Sequence, residues 1–227
     1  MPTDDLPVVV TYDWVPDFPR GLVRDIRPRW AFEEAGLSYR VETVPFQPKT
    51  PDHLAMQPFG QVPVLRMGGQ TLFETGAILF TIAQSSPALM PADRAGEALQ
   101  WIFAALNTVE MVAQPWVFMK AAEAAPQIFG TAPPPEVIER AAQRMHTRLE
   151  AMEKVLSGRS WLLGDFSVAD IAMTEALRPA ARRDALANYP ALSSYLATAT
   201  ARPAFLKAHA DQMAHWQAAD AARAAVA

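Results

Sequence analysis

Residues 57–82 read QPFGQVPVLRMGGQTLFETGAILFTI, a stretch that predicts a loop, two short strands joined by a tight turn, and a helix. The bond between Val62 and Pro63 is a candidate cis peptide, because the cis form costs little only before proline. If the bond is cis, Val62 can present its N–H and C=O groups to a ligand instead of to a neighbouring strand. The pair Gly68-Gly69 favours a two-residue hairpin turn between the strands.

The helix after this hairpin is predicted to begin at Glu74 and Thr75 and to continue through an apolar run. The first N–H groups of a helix have no partner within it, and the helix dipole places partial positive charge at the same end. A helix start of this kind is therefore a potential site for a carboxylate ligand.

The stretch resembles the glutathione-binding half of the glutathione transferase family. The matching patterns are N/Q-P-x-G-x-V-P-x-L at 57–65 and L-x-E-S/T-x-A-I at 72–78. In that family the residue before the cis proline pairs with the cysteinyl backbone of glutathione, and the acidic and hydroxyl residues hold its γ-glutamyl end. The resemblance thus implies that glutathione, as co-substrate, is bound by Gln61, Val62, Pro63, Glu74 and Thr75.

The glycyl carboxylate of glutathione needs a donor from the loop after the second predicted strand. Gln47 and Lys49 are the polar candidates in this loop, and either side chain can instead simply face solvent. His53 lies a few residues further along and is a third candidate, although an exposed histidine without a role is the simpler interpretation.

The predicted elements follow the order strand, helix, strand, loop, hairpin and helix, which matches the thioredoxin-like fold that the resemblance implies. The first strand is predicted at 8–12, the first helix at 22–35 and the second strand at 39–44. We therefore expect a thioredoxin-like α/β domain over residues 1–86, a proline-bounded linker over 87–91, and an all-helical domain over 92–227.

The C-terminal half carries helical periodicity. A helix of about 25 residues is predicted from Asp93, with a bend at Pro115. Ser167 and Asp170 have the N-cap and N3 spacing of a capping box. In the family this box nucleates a buried helix of the all-helical domain, so we predict a structural role for both residues.

Composition narrows the class of partner. The chain of 227 residues has a formal net charge of −4 and a pI near 5.6, which gives no basic footprint for nucleic acid or an anionic membrane. The N-terminus lacks the basic and apolar regions of a signal peptide, so we expect a cytoplasmic protein. The absence of cysteine excludes thiol chemistry by the protein itself, and the scattered histidines lead us to expect no metal.

The motifs do not identify the residue that activates the thiol of glutathione. The family usually uses a tyrosine, serine or cysteine at the end of the first strand or the start of the first helix, because the thiolate is the nucleophile. No Ser, Thr, Tyr or Cys occurs from Asp13 to Pro28. The two catalytic candidates are Tyr12, whose alternative is a packed strand tyrosine, and Arg20, whose alternative is a solvated, arginine-rich helix face.

Aromatic and methionine side chains in the first loop and in the segment 111–119 of the C-terminal half suit an apolar pocket for the second substrate. The pocket candidates, each of which also suits ordinary core packing, are Trp14, Phe18, Met111 and Trp116.

The function implied by the resemblance is a glutathione transferase that joins the glutathione thiolate to a small apolar electrophile, or a related glutathione-dependent isomerase or peroxidase. The missing hydroxyl or thiol motivates an alternative, a non-catalytic binding or assembly protein built on the same scaffold. The family usually forms two-fold dimers, so we expect a homodimer without nucleic-acid or membrane partners.

Overall fold

The computed structural model describes residues 6–225. The chain forms two compact units. The first contains the described residues up to Ala92 together with those from Ala201 onward, and the second is Asp93–Thr200.

The first unit is built on a four-stranded sheet with strands β1 Val8–Tyr12, β2 Arg40–Val44, β3 Val64–Met67 and β4 Gln70–Leu72. The strand order is β2-β1-β3-β4, with β1 parallel to β2 and antiparallel to β3, which is antiparallel to β4. Gly68 and Gly69, with φ of 57° and 76°, form the predicted hairpin turn, which needs positive φ at both positions. This topology confirms the thioredoxin-like prediction.

The helices that follow these strands are α1 Ile26–Ala35, α2 Pro51–Met56 and α3 Thr75–Gln84. The predicted start of α1 at residue 22 was wrong by about one turn. Pro28 explains the difference, because a proline has no N–H and fits only the first turn of a helix without loss. The helix ends as predicted at Gly36, whose φ of 65° suits a C-terminal cap.

The second unit is helical and contains α4 Ala95–Phe103, α5 Met111–Ala124, α6 Pro126–Phe129, α7 Pro135–Leu156, α8 Val168–Ala181 and α9 Pro190–Thr200. A π-helical segment, Ala104–Glu110, joins α4 to α5. The single helix predicted from Asp93 is therefore interrupted before Pro115, which lies inside α5. The helical stretch Ala92–Ala124 is long and apolar enough to cross a membrane, but the core helix of a soluble protein has the same length and composition.

The start of α8 is enclosed within the second unit. Asp170 is fully buried and accepts four hydrogen bonds: from the N–H of Leu162, from the N–H and the hydroxyl of Ser167, and from the Tyr195 hydroxyl. Ser167 and Asp170 form the capping box that their spacing predicts. Burial raises the pKa of the Asp170 carboxyl, and these donors oppose that shift.

The last helix, α10 Pro203–Ala224, belongs to the first unit. Phe205 meets the buried Trp30 of α1 edge-on, with ring centroids 4.9 Å apart, and Arg202 forms a two-pronged ion pair with Glu34. This division differs from the expectation of a single domain over 92–227. The pairing depends on contacts with residues more than a hundred positions away, which helical periodicity alone does not reveal.

Candidate functional site

Strand register brings the predicted binding residues to one edge of the sheet. Val10 pairs with Val64 across β1 and β3, so continuing this antiparallel register by two residues sets Tyr12 opposite Val62. Leu65 pairs with Leu72 across β3 and β4, which in the same way sets Pro63 opposite Glu74. The end of β1, the residues before β3 and the residues after β4 therefore meet at a common edge.

The loop that leads into Val62 is held by side chains from three directions. The Gln57 side-chain oxygen accepts from the N–H of Phe59 at 2.6 Å and of Gln61 at 3.2 Å. The Tyr12 hydroxyl donates to the Gly60 carbonyl at 3.0 Å. His53 Nε2 lies 2.9 Å from the Gln61 carbonyl, and since a carbonyl oxygen only accepts, this nitrogen carries the proton.

These contacts give His53 and Gln57 a role in holding the loop that the sequence did not predict. His53 is fully buried, so its interpretation as an exposed histidine was wrong, and Gln57 is buried as well. The bond between Val62 and Pro63 is cis, as the sequence predicted, and a second cis bond joins Gln47 and Pro48. Pattern alone gave no signal that His53 faces the carbonyl of Gln61.

The start of α3 combines an unusual backbone with a buried cation. Glu74 has φ of 69° and ψ of 117°, its side chain does not cap the helix, and it is exposed. A positive φ at a residue other than glycine costs roughly 1–3 kcal/mol and occurs chiefly at functional positions. Because the first helical bond of α3 runs from the N–H of Ile78 to the Glu74 carbonyl, the N–H groups before Ile78 remain available to a ligand.

The Thr75 hydroxyl accepts a hydrogen bond from the buried Arg27. Nη1 of Arg27, a residue that is 2% exposed, donates to Thr75 Oγ1 at 3.0 Å. A guanidinium can only donate, so the Thr75 oxygen accepts and its own proton is left to donate to an anionic group. The arginine also places positive charge close to the helix start, where the dipole already favours an anion.

Lys49 and Gln47 lie in the loop between β2 and α2. The Lys49 ammonium sits 4.1 Å from the centroid of the Tyr12 ring and 5.1 Å from that of Phe46. The pair of rings holds the lysine side chain by cation–π contact beside the end of β1. Gln47 is exposed, and its side chain makes no hydrogen bond among those that the described residues show.

The catalytic candidates are both engaged within the first unit. The single proton of the Tyr12 phenol is donated to Gly60. The Arg20 guanidinium forms a two-pronged ion pair with Asp220 of α10, with nitrogen–oxygen distances of 2.5 and 2.7 Å. This hydrogen bond raises the pKa of Arg20, which already exceeds that of other side chains.

Trp14 and Phe18 belong to the first unit, and Met111 and Trp116 belong to the second. The Trp14 indole N–H donates to Asp220 at 2.8 Å, and the Arg223 guanidinium lies 4.3 Å from the centre of its ring. Phe18 is 47% exposed. In the second unit, Met111 is 62% exposed, whereas Trp116 is 8% exposed and packs in the helical core. Within residues 6–225, no group of three or more His, Cys, Asp and Glu side chains could hold a metal ion.

The sheet topology and the site at its edge define a thioredoxin-like domain of the glutathione-transferase type. The family model for the N-terminal domain of glutathione S-transferases matches residues 19–84, and the model for the C-terminal domain matches residues 110–203. The chain belongs to the glutathione S-transferase family.

Named relatives agree with this assignment. The chain is 31% identical over 186 residues to a probable glutathione S-transferase GSTF2 of Oryza sativa subsp. japonica, covering 77% of this chain and 86% of the relative. It is 31% identical over 197 residues to glutathione S-transferase 3 of Zea mays, covering 80% and 86%. These relatives identify the chain as a transferase enzyme.

Solved structures give the same result. The structure of glutathione S-transferase-I with bound lactoylglutathione superposes with a TM-score of 0.73 at 25% identity, covering 90% of this chain and 99% of that one. Glutathione S-transferase III in its apo form gives a TM-score of 0.71 at 27% identity, covering 90% and 96%.

Proposed function

We propose that this transferase binds glutathione at the edge of its sheet and joins the glutathione sulfur to a small apolar electrophile. The observation that carries the proposal is the start of α3, where the strained backbone of Glu74 adjoins Thr75 and the buried Arg27, in register with the Val62-Pro63 bond. Together these groups provide donors for a carboxylate beside backbone groups for a peptide. The lactoylglutathione bound to a similar transferase is consistent with this ligand.

Each part of glutathione has a proposed partner. The γ-glutamyl carboxylate accepts from the Thr75 hydroxyl and the free N–H groups of α3, and Glu74 faces the γ-glutamyl ammonium. The cysteinyl backbone pairs with Val62, whose position is fixed by the loop that contains Gln61 and ends at Pro63. The glycyl carboxylate pairs with the Lys49 ammonium, and Gln47 is the second donor available in the same loop.

The chemistry follows from the thiolate. Glutathione loses its thiol proton to solvent, the sulfur donates an electron pair to the electrophilic carbon, and a sulfur–carbon bond forms as any leaving group departs with its own electron pair. Tyr12 is the candidate donor to the thiolate, since the register sets it opposite Val62. To donate to the sulfur, the Tyr12 hydroxyl must first give up its hydrogen bond to the Gly60 carbonyl.

Calorimetric titration with glutathione tests the binding step. We expect heat of binding from the wild-type protein and a weaker affinity for Lys49→Ala. The matched control is Lys154→Ala, which removes the same charge from an exposed position on α7 in the other unit. A folded wild-type protein that releases no heat at millimolar glutathione would remove the proposal.

A second titration tests Tyr12. If the phenol stabilises the thiolate, Tyr12→Phe raises the pKa of bound glutathione, measured as thiolate absorbance against pH, with little change in affinity. If Tyr12 acts only by holding Gly60, the same variant weakens glutathione binding and leaves that pKa in place.

The competing function is a non-catalytic binding or assembly protein. It is favoured by the engagement of both catalytic candidates, Tyr12 with Gly60 and Arg20 with Asp220. Turnover of an aryl halide, an isothiocyanate or a peroxide with glutathione would dispose of it.

Location and assembly complete the proposal. We propose a cytoplasmic location and a homodimer, as the family resemblance implies. Phe59 and Met111, which expose 69% and 62% of their surface, are candidate interface residues. Size-exclusion chromatography with light scattering checks the dimer, and a monomer at micromolar concentration would contradict it.

A further inference from the structure

The far end of the chain returns to the loop between β1 and α1. In addition to the Asp220 contacts with Trp14 and Arg20, His215 Nε2 lies 2.9 Å from the Tyr12 carbonyl. One turn earlier on α10, the Gln212 amide donates to the Val23 carbonyl at 3.0 Å and to Asp25 at 2.5 Å. Both ends of the loop and its middle are therefore held by one helix.

The loop spans residues 13–25 and contains Pro16 and Pro19. It adjoins Tyr12 at the edge of the sheet. Within it, the N–H groups of Arg20 and Leu22 donate to the carbonyls of Asp17 and Pro19. The Arg20 guanidinium donates to the Val15 carbonyl at 2.9 and 3.2 Å and pairs with Asp17 at 3.1 Å. The Arg20 guanidinium therefore links Val15 and Asp17 inside the loop to Asp220 on α10.

Asp220 makes the central contact between α10 and the loop, and we call its bonds to Trp14 and Arg20 the clamp. Its two oxygens bond both terminal nitrogens of Arg20, and one of them also accepts from the Trp14 indole. The hydrogen bond from Arg20, followed by that from Trp14, lowers the pKa of Asp220 to about 2, so the carboxylate is charged at neutral pH. The Asp220 side chain is 48% exposed, which sets it apart from residues that fill the core.

We propose that Asp220 is a positioning residue: from α10 it holds Trp14 and Arg20, and through them it sets the conformation of the β1–α1 loop beside the glutathione site. Arg20 is then the residue of the loop that pairs with Asp220, and it does not stabilise the thiolate as a cation. The consequence for catalysis rests on the proposed function, whereas the consequence for loop order does not.

Hydrogen exchange of the full-length chain tests loop order without any substrate. In Asp220→Ala, we expect amides of residues 14–22 to exchange faster, on the order of fivefold, as for the loss of a well-formed ion pair. Asp220→Glu should restore most of the protection. The control is Asp211→Ala on the same helix, which is 46% exposed and pairs with Lys207 instead of the loop, and which should match the wild type.

Steady-state kinetics with glutathione and an aryl halide test the catalytic consequence. We expect Asp220→Ala and Arg20→Ala to lower kcat by a similar factor, again on the order of fivefold, and the double variant to lose little more. Equal loop exchange in Asp220→Ala and Asp211→Ala would overturn the clamp. A loss of kcat in Arg20→Ala without one in Asp220→Ala would overturn the assignment of Asp220 as the residue that positions the loop.

The hydrogen-exchange experiment and the kinetic experiment can fail independently of each other. If the wild-type protein neither binds glutathione nor turns over, the proposed function fails, and the exchange experiment still decides whether Asp220 holds the loop.

Discussion

Helices α3 and α8 both begin where a hydroxyl residue lies close to an acidic one, but the two starts use these groups in opposite ways. At α8, Asp170 accepts from Ser167, Leu162 and Tyr195 and is fully buried. At α3, Glu74 is exposed, its side chain caps nothing, and its backbone has a positive φ.

The difference separates a structural helix start from a binding one. A capping box satisfies the N-cap and N3 N–H groups internally, so these two donors are not left for a ligand. A start whose acidic residue turns away leaves its N–H groups open, and the hydrogen bond from Arg27 to Thr75 leaves the Thr75 proton free to donate to a ligand. The variants below test this contrast, beginning with the largest expected effect.

Asp170→Ala should break the structural start. Its loss leaves buried donors of Leu162, Ser167 and Tyr195 without their acceptor, and each such donor costs about 1–3 kcal/mol. We expect the free energy of unfolding to fall by about 3 kcal/mol or more. Urea denaturation measures this change, and a variant as stable as the wild type would show that α8 does not depend on the box.

Thr75→Val should weaken glutathione binding at the start of α3, and it also lowers stability because Arg27 Nη1 loses its acceptor. It removes the hydroxyl that we assign to the γ-glutamyl carboxylate, and a hydrogen bond to a charged group of this kind corresponds to a loss of affinity of about 10- to 100-fold. Calorimetry with glutathione gives the affinity. Thr75→Ser retains the hydroxyl and serves as the control, so equal losses in both variants would contradict this role.

Substitutions at Glu74 separate strain from binding. Glu74→Gly relieves the positive φ, whereas Glu74→Ala keeps a Cβ and therefore the strain. We expect the glycine variant to be more stable than the alanine variant by about 1 kcal/mol in thermal unfolding. Both variants should bind glutathione more weakly than the wild type. If alanine proves the more stable of the two, the backbone at this position is not strained.

The pH dependence of stability gives the smallest effect. Because burial raises the pKa of Asp170 in the folded state, the stabilisation from its protonation is complete below the unfolded value of 3.8 and is lost as the pH rises through the folded value. The free energy of unfolding of the wild type should therefore decrease over that interval relative to Asp170→Ala, which cannot titrate there. Parallel pH profiles of the two proteins would contradict the raised pKa.

Features set by neighbouring residues could be predicted from the sequence. The Gly68-Gly69 turn and the cis bond at Pro63 depend on a few adjacent residues whose conformational preferences are strong. The capping box at Ser167 is local in the same sense. The motif likewise identified Glu74 and Thr75 as binding candidates, since their position follows directly from β4.

Features that depend on distant residues could not be predicted from the sequence. Arg27 reaches Thr75 across 48 positions, and Arg20 reaches Asp220 across 200. The single sequence contains no signal for either pairing, because an arginine on a helix equally suits solvent. The same limit applies to α10, whose place in the first unit depends on contacts with α1 that its own periodicity does not reveal.

The return of α10 to the first unit also affects how the chain can fold while it is being synthesised. Residues 93–200 are contiguous, so the second unit has all of its residues before α10 exists. Trp30, made early, has no Phe205 to cover it until the ribosome has added the last helix, at roughly 5–20 residues per second. The unit that is made first is therefore expected to be completed last, with an apolar surface open to chaperones in the interval.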